Sequence, residues 1–347
     1  MKILKTPERM RGALVSILIP AYNAERWIAD TVDSALQQTW RNREIIVVDD
    51  GSSDRTAAIA GNFLKDGVMV ITQKNQGASA ARNKAFAHSN GDFIQWLDAD
   101  DLIAPDKIAR QMEVAERIAD PYVLISAEWG RFMYRARHTR FSKSRLWENL
   151  APAEWLFRKL GENLFMPPQT WLVSRELTEA AGRWDERLSL DDDGEYFSRV
   201  VIASKRICFV PGAKVFYRAA GSGSLSDVDQ SKRKLESLWL SLQLQIRRLQ
   251  QLEDSERTRA ACVIFLENWL KFFYPWRLDI VEEAQQLAES LGGHLSIPRL
   301  RRKYAWIEKF SNRRTAARVE EFVPNLRANL ARFWDRSMFQ FEQIGRA

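Results

Sequence analysis

Residues 44–56 read EIIVVDDGSSDRT, and this stretch decides the fold class, because a buried strand runs straight into a polar loop. Its continuous run of β-branched residues is typical of a strand that is buried on both faces of a parallel sheet. The other runs of this kind are residues 14–19, 68–72 and 93–97. Helical spacing lies between the strands, at residues 25–38, 54–65 and 78–89. This alternation predicts a doubly wound α/β domain.

The composition of the 347-residue chain excludes several classes of protein. A hydrophobic fraction of 46% excludes a disordered chain. The two cysteines, Cys208 and Cys262, cannot build a disulfide framework and favour a reducing compartment. No run approaches the roughly 18 uncharged residues of a spanning helix, and residues 12–24 suit a first strand better than a signal peptide. We therefore expect a soluble, cytoplasmic protein.

The formal net charge of +7 is concentrated at the C-terminal end of the chain. Residues 299–347 contain 12 basic and 5 acidic residues, so the rest of the chain is balanced. This distribution excludes a uniformly basic nucleic-acid-binding protein. Apolar residues in the same segment have helical spacing: Leu326, Leu330, Phe333, Trp334, Met338 and Phe341. Two alternatives remain open: peripheral contact of residues 299–347 with the inner face of a membrane, or packing on the rest of the protein.

After about residue 226 the strand pattern ends and helical patterns take over. A single apolar stripe occupies one helix: Leu235, Leu238, Leu242, Ile246, Leu249 and Leu252. Further helical patterns cover residues 261–273, 281–291 and 326–341. We predict an α/β domain over residues 1–225 and a helical domain over residues 226–347. The glycine- and serine-rich segment 221–226 suits a linker and a mobile lid equally well.

Polar side chains follow three of the predicted strands. The first strand leads into Pro20-Ala-Tyr-Asn23, the second into Asp49-Asp50, and the fourth into Asp98-Ala-Asp100-Asp101. Ligands of an open α/β sheet bind beyond the carboxyl ends of its strands, so these loops predict one binding site. Two carboxylates one residue apart favour a hard divalent cation, Mn²⁺ or Mg²⁺, and such a site usually keeps positions for phosphate oxygens.

Other chemistries lack their motifs. The chain has neither a G-x-x-x-x-G-K-[ST] loop nor a G-x-G-x-x-G turn after the first strand, which leaves ATPase and dinucleotide functions unsupported. Its three histidines, His88, His138 and His294, do not have zinc-ligand spacing and do not adjoin an obvious nucleophile.

Three segments in order resemble the inverting family-two glycosyltransferases. These are VSILIPAYNAERWIADTVDSALQQTW, EIIVVDDGSSDRT and NQGASAARNKAFAHSNGDFIQWLDADD, which together span roughly residues 12–110, with a looser continuation to about 225. The resemblance implies a GT-A fold, which is Rossmann-like with a mostly parallel sheet and flanking helices, followed here by the C-terminal α-helical domain.

The resemblance also implies roles for particular residues in donor binding. Pro20 and Tyr22 would line the base and ribose site, and Asp50 would accept the N3–H of uracil. Arg82 would lie near the nucleotide or its phosphates.

Asp98 and Asp100 match the family's Asp-x-Asp motif. Asp100 would bind the metal directly, and Asp98 would contact the ribose or a metal-bound water.

The family's catalytic base lies in an acidic pair at the start of a later helix. The best alignment places Asp193 at the base position and Asp192 beside it, and Asp191 and Glu195 allow the assignment to shift by one. A helix cap with an acidic first turn is the alternative without catalysis.

Together these features predict a metal-dependent inverting glycosyltransferase. It would move one sugar from a nucleotide-diphosphate donor, preferably a UDP-sugar, to a hydroxyl of a glycan or lipid-linked acceptor. The alternatives are a nucleotidyltransferase-like enzyme and a catalytically silent binding protein of GT-A fold. Nucleic acid is not an expected partner. The basic segment 131–145 is either an acceptor-binding surface or a solvated loop.

Overall fold

The structure is a computed structural model and describes residues 12–219, 231–298, 330 and 332–339. The strands of the described residues are β1 (Val15–Ala21), β2 (Arg43–Asp49), β3 (Met69–Thr72), β4 (Phe93–Trp96), β5 (Leu102–Ile103), β6 (Val123–Phe132), β7 (Arg140–Phe141), β8 (Val173–Ser174) and β9 (Arg206–Arg218). The four strands predicted from the sequence correspond to β1 to β4, which confirms the α/β assignment of the first half of the chain.

The helices alternate with the strands at first and then follow one another. In chain order they are α1 (Ile28–Leu36), α2 (Thr56–Gly61), α3 (Ala78–Ala87), α4 (Lys107–Ile118), α5 (Pro152–Gly161), α6 (Arg175–Ala181), α7 (Asp192–Ala203), α8 (Lys232–Leu252), α9 (Glu256–Phe273) and α10 (Leu278–Ser290). The helical patterns predicted after residue 226 are confirmed where α8, α9 and α10 lie.

The strands of the described residues form two sheets. The larger has the order β3-β2-β1-β4-β8, with parallel pairing throughout except at β8. The smaller has the order β5-β9-β6-β7, and β6 and β9 run parallel. Strand β1 lies in the middle of the larger sheet and is buried along its whole length, as its apolar run predicts. The ends of β1, β2 and β4 therefore reach the same sheet edge.

The helices that follow β9 do not have a separate core. One cluster of buried side chains contains sheet residues such as Leu18 and Ile46 together with Leu242 of α8 and Phe265 of α9. The proposed division at residues 225 and 226 lies outside the described residues, as does segment 221–226, so the two-domain division stays a prediction. The shared core makes the helices a rigid support for the sheet domain.

Part of the basic C-terminal segment is described, and residues 332–339 are helical. The Asp335 carboxylate accepts hydrogen bonds from Tyr134 N at 2.9 Å and from Arg135 Nε at 2.7 Å. Phe333 and Trp334 are 70% and 67% exposed. The remainder of the predicted helix 326–341, including Leu326 and Phe341, lies outside the described residues. Within the described residues, helices long and apolar enough to cross a bilayer are absent.

Candidate active site

The loops that follow β1 and β2 are tied together by side-chain hydrogen bonds. Ser53 N donates to Asn23 Oδ1 at 2.9 Å, and Asn23 N donates to Ser52 Oγ at 2.9 Å. Pro20 is buried in β1, whereas Tyr22 is 48% exposed just after it. The ring of Tyr22 is thus accessible to a ligand and Pro20 is not, and the predicted roles of both at a base and ribose site stay predictions.

Asp50 is 2% exposed and holds the loop between β3 and α3. Its Oδ1 accepts hydrogen bonds from Gln73 Nε2 at 2.8 Å and Gln76 N at 2.9 Å, and its Oδ2 accepts one from Gly77 N at 2.8 Å. A carboxylate oxygen has two lone pairs, so Oδ2 retains capacity for one more donor. The predicted uracil contact is compatible with this geometry and stays a prediction.

The loop after β4 is shaped by Asp101 and by Arg218, the last residue of β9. Asp101 is 1% exposed, and its carboxylate accepts hydrogen bonds from Arg218 N at 2.5 Å and from Gln169 Nε2. Arg218 Nε in turn donates to the backbone oxygen of Asp100 at 2.6 Å. The guanidinium of Arg218 packs between the rings of Trp27 and Phe132, 4.1 and 4.4 Å from their centroids. These contacts fix the backbone of the Asp-x-Asp loop.

Asp98 and Asp100 have unequal surroundings. Asp98 Oδ1 accepts a hydrogen bond from Arg82 Nη2 at 2.9 Å, whereas the Asp100 carboxylate accepts none from another described residue. Burial and the nearby negative charge of Asp98 raise the pKa of Asp100 to about 6, against a lowering effect of Arg218. Asp100 is therefore a carboxylate whose charge Arg218 compensates only in part, and it has no ion-pair partner among the described residues.

Those two carboxylates fit a divalent cation. Both are hard oxygen ligands, and a cation between them would supply the compensation that Asp100 lacks. Across the described part of the chain, groups of three or more histidine, cysteine, aspartate or glutamate side chains suited to a metal are absent. Water and donor phosphate oxygens would therefore complete the coordination, as is usual for Mg²⁺.

Arg82 connects the Asp-x-Asp loop to the acidic turn, residues 189–193, which leads into the first turn of α7. Its Nη1 donates to Asp192 Oδ2 at 2.6 Å, while its Nη2 serves Asp98. The Arg82 side chain is 6% exposed and lies 4.3 Å above the ring centroid of Trp184. The predicted contact with nucleotide phosphates stays a prediction, because both terminal nitrogens already bind carboxylates in this structure.

A group of packed aromatic rings lies beneath the Arg82 guanidinium. The Trp184 ring stacks on Tyr196 with centroids 3.9 Å apart, and Trp96 at the end of β4 meets both rings edge-on. Asn83, next to Arg82 on α3, donates to Trp184 O and accepts from Trp184 N, both at 2.9 Å. The strand β4, helix α3 and helix α7 are therefore locked together directly beneath the acidic groups.

Asp192 and Asp193 lie in the first turn of α7 and differ in their availability. Asp192 is paired with Arg82 and lies 3.3 Å from Ser79 Oγ. Asp193 accepts one hydrogen bond among the described residues, from Gly194 N at 2.9 Å. Burial raises the pKa of Asp193 to about 7, with added repulsion from Asp191 and Asp192 and an opposing effect of Arg82. A partly buried carboxylate with a pKa near 7, which forms no ion pair with another described residue, suits a general base.

Several site residues were not anticipated from the sequence. Arg218 and Asn83 shape the site without a motif of their own, although Asn83 follows Arg82 directly. Asp101 belonged to the aspartate run but proves to be structural. The basic segment 131–145 is partly neutralised: Arg135 pairs with Asp335 and Arg145 with Glu162.

Comparison with solved structures identifies the fold of the chain. The chain superposes on the crystal structure of S. aureus TarS 1–349 in complex with UDP-GlcNAc with a TM-score of 0.65 and 16% identity, covering 80% of this chain and 82% of that one. The TarS 1–349 structure without that ligand gives a TM-score of 0.62 and 17% identity. The fold is therefore GT-A, as the sequence predicts.

Sequence comparison shows which family part of the chain resembles. The family model described as Glycosyl transferase family 2 matches residues 16–182. An uncharacterized glycosyltransferase of Rickettsia typhi is 31% identical over 212 residues, covering 56% of this chain and 64% of that protein. The glycosyltransferase GlyG of Streptococcus pneumoniae is 28% identical over 231 residues and is covered to 75%. The match thus spans slightly less than two thirds of the Rickettsia protein. Residues 16–182, slightly less than half of the chain, are therefore similar to glycosyl transferase family 2 domains.

Proposed function

We propose that this protein is an inverting glycosyltransferase. It would transfer one sugar from a nucleotide-diphosphate donor, with a UDP-sugar as the favoured class, to a hydroxyl group of a glycan or lipid-linked acceptor. One observation carries the proposal: Arg82 forms ion pairs with both Asp98 and Asp192. It thereby joins the carboxylates suited to a metal to the turn that contains Asp193, whose pKa is raised to about 7. The family match and the UDP-GlcNAc complex of TarS support the donor class.

The reaction would be a single displacement at the anomeric carbon. The acceptor oxygen forms a bond to that carbon, the bond from the carbon to the diphosphate oxygen breaks, and the acceptor proton passes to Asp193. One step from the opposite face inverts the anomeric configuration. General-base assistance of this kind contributes typically about 10²–10⁴-fold to the rate.

The remaining site residues would bind and orient the donor. Tyr22 and Asp50 would receive the nucleoside, and Asp98 and Asp100 would hold Mn²⁺ or Mg²⁺. Such a cation supplies Lewis-acid stabilisation of the negative charge that develops on a leaving diphosphate. Arg82 would keep Asp192 and Asp98 in fixed positions through its two ion pairs and its packing on Trp184.

The proposed acceptor class would bring the protein to a glycan or a lipid surface. The exposed rings of Phe333 and Trp334, in a segment with excess positive charge, support peripheral membrane contact through residues 299–347. The docking of Asp335 on Arg135 supports packing of the other helix face on the α/β part. The two alternatives are therefore compatible with each other.

A donor panel tests the proposed function. The protein is mixed with UDP-, GDP- and dTDP-sugars and with Mn²⁺ or Mg²⁺, and binding and slow donor hydrolysis are measured. We expect one nucleotide class to bind and to be hydrolysed only when metal is present, and Asp100→Ala to abolish metal-dependent binding. The matched control is Asp66→Ala, at the last residue of a short 3-10 helix after α2. Metal-independent binding of equal strength in wild type and Asp100→Ala would contradict the proposal, as would failure of every donor.

A further inference from the structure

Residues 189–191, which lead into the helix turn that contains Asp193, are held by side chains of α8 rather than by the sheet. Ser237 Oγ accepts hydrogen bonds from Ser189 N at 2.7 Å and Leu190 N at 3.0 Å. It also donates to Leu190 O at 3.2 Å. One serine of α8 thus satisfies three backbone groups in the two residues that precede Asp191.

Asp191 combines an unusual backbone conformation with direct contacts to α8. Its backbone has φ 56° and ψ 30°, the left-handed conformation that non-glycine residues seldom adopt. Ser241 Oγ lies 2.8 Å from both the backbone oxygen and Oδ2 of Asp191, and Gln245 Nε2 donates to Oδ2 at 2.6 Å. The unusual backbone conformation therefore coincides with side-chain anchors from α8.

Gly194 makes room for this arrangement. A Cβ atom added to Gly194 would lie 2.4 Å from Asp191 Oδ1 and 2.9 Å from its Cγ. The Asp191 carboxylate is therefore packed beneath the first turn of α7. Asp193 lies on that same turn, so the position of Asp191 determines where α7 begins and where Asp193 lies.

A buried lysine compensates the charge of Asp191 through Gln245. Lys159 Nζ of α5 donates to Gln245 Oε1 at 2.5 Å, and its ammonium group lies 5.6 Å from the ring centroid of Phe265. Burial raises the pKa of Asp191, and Lys159 opposes that rise, whereas Asp191 opposes the lowering of the Lys159 pKa by burial. The network thus extends from α5 through α8 to the acidic turn.

The polar contacts form a second stripe on α8. Ser237, Ser241 and Gln245 are spaced four residues apart, so they share one helix face, and all three are buried. The apolar stripe that includes Leu238 and Leu242 occupies the adjoining face and fills the shared core. A buried polar stripe with every member bonded to residues 189–191 is not needed for core packing, because apolar residues of similar size fill a core at lower cost.

We propose that Ser241 and Gln245 of α8, supported by Lys159, are positioning residues for the catalytic base Asp193. They fix Asp191 in its left-handed conformation and so hold the first turn of α7 against the Asp98 and Arg82 cluster. This inference rests on the proposed function for the role of Asp193. It gives the helices outside the family-matched residues 16–182 a part in the chemistry.

The test compares three variants of the full chain. Ser241→Ala and Gln245→Leu remove the two anchors, and Gln243→Leu is the control. Gln243 lies on the same helix and makes no hydrogen bond to residues 189–193 within the described part of the chain. We expect the two anchor variants to lower kcat at least tenfold, with the donor KM changed by less than twofold, and the control to keep the wild-type values.

Two further readouts separate positioning from general destabilisation. Hydrogen–deuterium exchange of the peptide that contains residues 188–196 should be faster in both anchor variants and unchanged in Gln243→Leu. Asp191→Asn should shift the rising limb of kcat against pH to lower pH, because the Asp191 charge raises the pKa of Asp193. The other charged groups that act on Asp193 are Asp192, Arg82 and Asp98, together with Lys159 of α5.

The possible results are distinguishable. Unchanged exchange in residues 188–196 of Ser241→Ala and Gln245→Leu would overturn the positioning inference, whatever the activity. Faster exchange with wild-type kcat would overturn it as well. A wild-type protein that turns over none of the nucleotide sugars overturns the proposed function, and the exchange measurement then still reports whether α8 holds the acidic turn.

Discussion

The Asp-x-Asp loop at residues 98–101 and the acidic turn at residues 189–193 both carry carboxylates to one site, yet different parts of the fold hold them. The first loop continues directly from β4, whose register beside β1 fixes its position. The second is held by three side chains of α8, far along the chain. Sheet geometry, with the contacts of Arg218, therefore places the metal-suited carboxylates, and helix side chains place the proposed base.

This difference has a consequence for how each half of the site tolerates change. Backbone hydrogen bonds to the neighbouring strands fix the position of a strand end, and most side-chain substitutions leave these bonds intact. The acidic turn depends on a few buried side-chain hydrogen bonds, and each of these can be removed by one substitution. The acidic turn therefore depends more on side-chain contacts than the Asp-x-Asp loop does, although Asp101 and Arg218 also support that loop.

The largest expected effect separates the two aspartates of α7. Asp193→Asn should lower kcat by about 10²–10⁴-fold, because it removes the proton acceptor, while donor affinity stays within twofold. Asp192→Asn should lower kcat less, because Asp192 pairs with Arg82 and does not face the acceptor proton in our account. Steady-state kinetics and calorimetric donor binding measure both. Wild-type-like turnover by Asp193→Asn, together with an inactive Asp192→Asn, would shift the base assignment by one residue.

The next effect concerns the link between the two loops. Arg82→Met should lower the free energy of unfolding by about 3 kcal/mol, because it leaves the Asp98 and Asp192 carboxylates without their shared cation. The low end of the usual range applies, since both carboxylates are partly exposed. Denaturant unfolding measures the change. Arg26→Met, at an exposed residue, is the control, and a loss for Arg82→Met no larger than that of this control would show that the two loops are held independently.

The sequence predicted the strand ends at which Asp98 and Asp100 lie, whereas the position of the acidic turn came from the family resemblance, and the roles of these residues stay predictions. Asp98 and Asp100 follow an apolar strand, and such a strand end must lie at the binding edge of a parallel sheet. Asp193 was found only through the family resemblance, with neighbouring acids left open. Local patterns carry no sign that Ser241 and Gln245 contact Asp191, because they lie 50 and 54 residues away along the chain.

The same limit applies to Arg218 and Asp101. Their contact joins positions 117 residues apart, and it determines which of the three loop aspartates is structural. A sequence pattern gives the order of strands and the residues at their ends. The pairing of buried polar side chains depends on the tertiary packing of β9 against the loop, which periodicity does not encode.

The pH dependence of sugar transfer tests the central claim most directly, namely that Asp193 accepts the acceptor proton. With its pKa near 7, Asp193 is protonated at lower pH, so kcat of the wild-type protein should fall about tenfold per unit below pH 7 and level off above it. The residual rate of Asp193→Asn should be nearly constant between pH 6 and 8. A wild-type profile that is flat across this range, or a variant that keeps the wild-type limb, would contradict the account.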